Sequence, residues 1–128
     1  MIITDILNIL KADSTLKTLL GATASDTKLY PYSADKDRAN NCIVYIVSPV
    51  SDEDAVRIDK LEIRIISDDL IKAHAIDSRV RTLLKTIGDT RNNNFLKIVL
   101  NGGGSLEDLA TNTYHLIDYY YITQRSLN

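Results

Sequence analysis

The sequence predicts an α+β fold: a mostly antiparallel sheet of about four strands, a long helix packed across one face, and an N-terminal helical segment. Three observations carry this. Apolar residues recur with helical period at the start of the chain. A well-capped stripe of the same period lies in the middle. β-favouring runs flank that stripe, joined by mostly short connections. At 128 residues, 45% apolar and 25% charged, the chain has the make-up of one globular domain spanning 1–128 rather than of a disordered segment. A net charge of −2 leaves no basic excess of the kind that drives phosphate-backbone binding.

The first helix rests on Ile3, Ile6, Leu7 and Leu10, spaced i, i+3, i+4, i+7. Asp13 breaks the rhythm and is placed to cap a second short helix carrying Leu16, Leu19 and Leu20, with Gly21 as its stop. Ala22 to Thr27 reads as loop. Leu29-Tyr30-Pro31-Tyr32 reads as a short extended piece, because Pro31 biases Tyr30 away from helix. Ser33 to Asn41 is a polar, charged loop.

Cys42 to Val47 is a continuous β-favouring run, expected to be covered on both faces and ended by Pro49. Ser51-Asp52-Glu53-Asp54 follows as an acidic turn. Val56 to Ile66 is a second strand whose apolar residues change alternation: Val56 and Ile58 on one, Leu61, Ile63 and Ile65 on the other. A period-2 element does this only with a bulge or bend, expected near Asp59-Lys60, or as a projecting arm whose apolar face meets another chain.

Ser67-Asp68-Asp69 opens the long helix with capping groups. Its buried stripe is Ala73, Ile76, Val80, Leu83, Leu84 and Ile87, with Lys72, Asp77, Arg79, Arg81 and Lys85 mostly away from it and Gly88 as its end. After a turn at Arg91 to Asn94, Phe95 to Leu100 alternates as a third strand, which Asn101-Gly102-Gly103-Gly104 is expected to break. Ser105-Leu106-Glu107-Asp108 has capping-box spacing and predicts one helical turn. Thr113 to Thr123, with Tyr114, Tyr119, Tyr120 and Tyr121, is the last strand.

Catalytic and cofactor motifs are not found in this pattern. The glycine cluster lacks the lysine and Ser/Thr of a phosphate loop and is expected to be a turn. His74 and His115 have no second ligand at metal-binding spacing, and there is no G-x-S-x-G elbow. Asp52, Glu53 and Asp54 lack the spacing and glycine of a calcium loop. The single cysteine, Cys42, reads as a buried, inert thiol, and its isolation points to a reducing cytosol. The opening Met1-Ile2-Ile3-Thr4-Asp5 does not read as a signal peptide, and no apolar run approaches the roughly 20 residues that span a bilayer. Lys11, Lys17, Lys72, Arg79, Arg81 and Lys85 would form a basic strip only if their helices adjoin. The consecutive tyrosines put an aromatic ring on both faces of the last strand. The face that does not meet the core, with Phe95 and Val99 adding to it, is a candidate for a protein partner.

The order of elements resembles the tail terminator, or tail completion, proteins of long-tailed bacteriophages and related prophages. The similar stretches are Ile3 to Leu20 ending at Gly21, then Leu29-Tyr30-Pro31, Cys42 to Pro49 and Arg57 to Asp69, the directly following helix Ala73 to Leu84, and the closing aromatic strand. The resemblance implies a non-enzymatic virion protein, assembled in the host bacterial cytoplasm, that forms a ring, usually a hexamer. Such a ring sits on the head-proximal end of the tail tube, stops tube polymerisation and meets the head connector. The implied partners are further copies of the chain, the tail tube protein, a connector or neck protein, and a sheath-end protein if the tail is contractile. Genome DNA passes through the lumen without sequence-specific binding; no membrane, metal or cofactor is implied. The near-neutral charge fits a channel that passes DNA without gripping it.

A ring needs head-to-tail contacts with a closing rotation. Val56, Ile58, Lys60, Tyr119 and Tyr121 are the expected subunit interface. Asp35, Lys36, Arg38, Asp52, Glu53 and Asp54 are the expected contact with tube or connector. Other roles compatible with the sequence are another head–tail joining protein, a small nucleic-acid-binding domain using stacked tyrosines, and a hydrolase using His74 or His115.

Overall fold

The computed structural model describes residues 2–33, 41–53, 56–90 and 95–125. In chain order these form α1 (Ile2–Ala12), α2 (Ser14–Leu20), β1 (Leu29–Pro31), β2 (Cys42–Asp52), β3 (Val56–Ser67), α3 (Leu70–Thr90), β4 (Phe95–Asp108) and β5 (Thr113–Arg125). The strands make one sheet in the order β1-β2-β3-β5-β4, and only the β1–β2 pairing is parallel. This is the expected α+β architecture, with the short extended piece at Leu29 joining as a fifth strand.

The helices start where side chains satisfy their free amides. Asp13 accepts from the Leu16 amide at 2.9 Å and caps α2, and Gly21 ends it at φ +70°, a conformation that favours glycine. Asp69 accepts from the amides of Ile71 and Lys72, and Ser67 from the amide of Asp69, which together start α3. The helix runs two residues past Gly88. Ala73, Ile76, Val80 and Leu84 of α3 pack with Leu61, Ile63 and Ile65 of β3 and with Leu116, Tyr120 and Ile122 of β5. Ile6, Leu10, Leu16 and Leu20 complete this core from the N-terminal helices. A bidentate pair from Arg79 to Asp13, at 2.6 and 2.9 Å, fastens the start of α2 to α3 and holds the Asp13 carboxyl below its usual range. All three helices therefore serve one face of the sheet.

Several expectations about the strands are corrected. β3 has no phase error: Asp59, Leu61, Ile63 and Ile65 all lie on the buried alternation, and its pairing with β5 runs unbroken from Val56 to Ser67. The register shift belongs to its neighbour, between Pro49 and Ser51 of β2. Pro49 does not end β2, which continues to Asp52; the Glu53 amide then bonds the Val56 carbonyl at 2.9 Å to close the hairpin. The apparent phase change arose because Asp59 is polar yet buried. It takes hydrogen bonds from Arg57 and from Gln124, at 3.1 and 2.5 Å, which satisfy its carboxylate at the end of the core.

The glycine cluster does not break β4 either. It forms a bulge, with Gly102 at φ +96° and Gly103 at φ +155°, and the strand resumes its pairing with β5 through Asp108. A side chain on Gly103 would run into the carbonyl oxygen of Ile117. The helical turn expected at Ser105 to Asp108 is therefore strand, because a paired partner strand overrides a capping pattern. Cys42 is fully buried, and burial pushes its thiol up to about 11.

Candidate interaction surface

Strand alternation sorts every side chain of the sheet onto a helix-covered face or an open face. On the open face, β3 contributes Val56, Ile58, Lys60, Glu62 and Arg64, and β5 contributes Ile117, Tyr119, Tyr121 and Thr123. The five residues expected at an interface, Val56, Ile58, Lys60, Tyr119 and Tyr121, thus share one face of two adjacent strands. Lys60 stands directly across from Tyr121 and Glu62 across from Tyr119; the Lys60 ammonium lies 4.8 Å from the Tyr119 ring centre. Tyr119, Tyr121 and Ile58 are half-buried. Further along the same face, Cys42, Val44, Ile66 and Tyr30 form a separate small apolar cluster.

The hairpin joining β2 and β3 carries Asp52 and Glu53, both exposed. Asp35, Lys36, Arg38 and Asp54, expected to contact tube or connector, lie outside the described residues. Phe95 begins β4 opposite Gln124. His74 is exposed on α3. His115 sits on β5 across from Ile66, 3.3 Å from the Thr113 hydroxyl; burial first, then Arg64, lower its pKa and favour the neutral ring. Among the described hydrogen bonds neither histidine has a carboxylate partner, and the hydroxyl beside His115 is that of Thr113. Among the described residues no cluster of three metal-binding side chains occurs, and no helix is long and apolar enough to cross a membrane.

The lysines and arginines of the helices do not form a continuous basic strip. Arg79 is bound to Asp13, and Arg81 bridges Asp77 at 3.1 Å and Asp118 at 2.9 Å. That pair of buried carboxyls is the main feature missed in the sequence. Asp77 faces the sheet rather than solvent and is 7% exposed, while Asp118 is 3% exposed. One guanidinium serves two carboxyls, leaving Asp77 Oδ1 and Asp118 Oδ2 without partners. Burial, then the proximity of Asp118, push Asp77 up to about 7. The available signal was Asp118 itself, which alternates in phase with Leu116, Tyr120 and Ile122. An acid on the core alternation needs a counter-charge from the covering helix.

Beside this cluster a groove of about 360 Å³ opens between α3 and β4, lined by Arg81, Lys85, Ile98, Val99, Leu100 and Tyr120. The Tyr120 hydroxyl is buried and has no hydrogen-bond partner.

Comparison with known proteins yields a likeness of fold. No protein-family model matches the chain, and no curated protein matches its sequence. Among solved structures, a chain from the virion of a native gene transfer agent particle superposes with a TM-score of 0.71 at 15% identity, covering 94% of this chain and 92% of that one. The two share a fold over nearly their full lengths.

Proposed function

We propose that this protein is a structural subunit of a phage-like virion: a ring-forming tail terminator that ends growth of the tail tube and presents a surface to the head connector. The observation that carries the proposal is the division of the sheet into a face covered by three helices and a face bearing Val56, Ile58, Lys60, Tyr119 and Tyr121 with no layer over it among the described residues. An apolar, tyrosine-rich sheet face without a covering layer is the surface a subunit contact needs. The shared fold with a gene transfer agent virion chain supports the same setting. In this proposal the role is non-enzymatic, DNA passes through the lumen, and the loop around residues 33–41 and the β2–β3 hairpin face the tube or the connector. The partners are further copies of the chain, a tail tube protein and a connector or neck protein.

Negative-stain microscopy of the concentrated chain, with native mass spectrometry, tests this. Uniform rings with a central hole are expected. A chain that stays monomeric and also fails to cap isolated tail tubes belongs instead to another position in the head–tail junction.

A further inference from the structure

We infer that α3 is latched to the sheet by one proton held between the buried carboxyls of Asp77 and Asp118, and that losing this proton lets the helix part from β4 and β5. The inference stands apart from the ring reading. Asp77 belongs to α3 and Asp118 to β5, and Arg81 holds both: its Nε lies 3.1 Å from Asp77 Oδ2 and its Nη2 lies 2.9 Å from Asp118 Oδ1. The two acids are also within hydrogen-bonding reach of each other. Each keeps a second oxygen, Asp77 Oδ1 and Asp118 Oδ2, that is buried and receives no hydrogen bond. An ionised carboxylate only accepts, so two of them cannot satisfy one another. A carboxylic acid donates, and one proton on either supplies the missing bond.

The charge count gives the same answer. Two ionised carboxylates on one guanidinium leave a surplus negative charge at residues only 7% and 3% exposed. Among the described residues no second cation reaches them: Arg79 is bound to Asp13, and Lys85 is exposed at the groove. The flanking strands add no charge there. Asp118 pairs with Ile63 of β3 and Gly103 of β4, and the acids on the same alternation, Asp59 and Glu107, lie further along those strands. The neighbouring Tyr120 hydroxyl is held protonated by burial. Burial, and then Asp118, also shift Asp77 in the direction that keeps a proton.

The cluster is placed to act on the helix. It is the polar tie between α3 and β5, beside the groove that already separates α3 from β4 at Ile98, Leu100 and Tyr120. With the proton in place the seam is neutral and hydrogen-bonded. Without it, two like charges face each other in a buried site, and water has to enter from the groove to solvate them. The latch is therefore closed on the acid side and opens as pH rises through the neutral range.

Carbon-13 NMR of the aspartate carboxyls, titrated in the full chain from about pH 5 to about pH 9, reads the proton directly. One carboxyl of the pair is expected to titrate in the neutral range, and Asp77→Asn and Asp118→Asn should each remove that titration. Amide exchange, expressed as protection factors, reads the latch. Protection in α3 and β4 should fall roughly tenfold or more across this range while the β2–β3 pairing keeps its own. Asp77→Asn, whose amide donates at every pH, should hold α3 protected throughout. If every aspartate of the wild-type chain is already ionised at about pH 5, no proton is shared and the inference is overturned. If the neutral titration is present but α3 protection stays flat, or falls equally in every strand, the proton moves no latch, which overturns it as well. The wild-type measurements decide both points even if a variant does not fold.

Discussion

The two faces of this sheet are built from the same strands but answer to different constraints. On the helix-covered face, Leu61, Ile63 and Ile65 are fully buried, and the polar residues there are held in specific pairs. On the open face, charged and aromatic residues alternate across strands, as with Lys60 beside Tyr121 and Glu62 beside Tyr119. The first face is covered by helices of the same chain; the second has no helix over it among the described residues, although Cys42, Val44 and Ile66 at one end of it are buried. Substitutions on the first should register as stability, and substitutions on the second as association.

The largest expected effect comes from Ile76→Ala. It empties a fully buried site between α3 and the sheet and should cost about 2–5 kcal/mol in urea denaturation. Gly103→Ala should cost about 2 kcal/mol, since the added carbon meets the Ile117 carbonyl on the paired strand; a near-neutral result would mean the β4 bulge relaxes freely. Asp13→Ala removes both the α2 cap and the Arg79 clamp and should cost about 1–3 kcal/mol, with faster amide exchange confined to α1 and α2.

Asp77 gives a pH signature with a definite sign. Its folded pKa is raised to about 7 from 3.8, so the folded state holds the proton more tightly than the unfolded chain. Its contribution is present in full below the lower value and is lost as pH rises toward the upper one. Stability should therefore fall by roughly 1–3 kcal/mol across that window. Asp77→Asn should flatten the decline, and an unchanged slope would assign it to another group. The smallest stability effect belongs to Tyr119→Ala and Tyr121→Ala, each within about 1 kcal/mol. Both should nonetheless reduce subunit association; if neither does, the open face is not the contact.

Much of the covered face was legible because periodicity reports burial. The α3 stripe, the Asp13 and Gly21 boundaries and the Leu61-Ile63-Ile65 alternation all follow from spacing alone. What escaped was polar and non-local. Asp59 looked like a register error because its partner Gln124 is 65 residues away. Asp77 looked solvent-facing because its position is explained only by Arg81 and Asp118. The glycines looked like a terminus because the β5 partner that carries the strand past them comes later in the chain. Val56, Ile58 and Lys60 stood out in the sequence through a phase change that β3 does not have; their place beside Tyr119 and Tyr121 comes instead from pairing with β5, far along the chain.

Both lateral edges of the sheet are broken once: β2 near Pro49, which has no amide hydrogen to donate, and β4 at Gly102 and Gly103. A flat, uninterrupted edge invites endless stacking into fibres, the hazard of any protein stored as monomer before use. Each interruption limits the straight run of backbone available to another chain and adds local twist. Edges interrupted in this way are poor templates for cross-β growth.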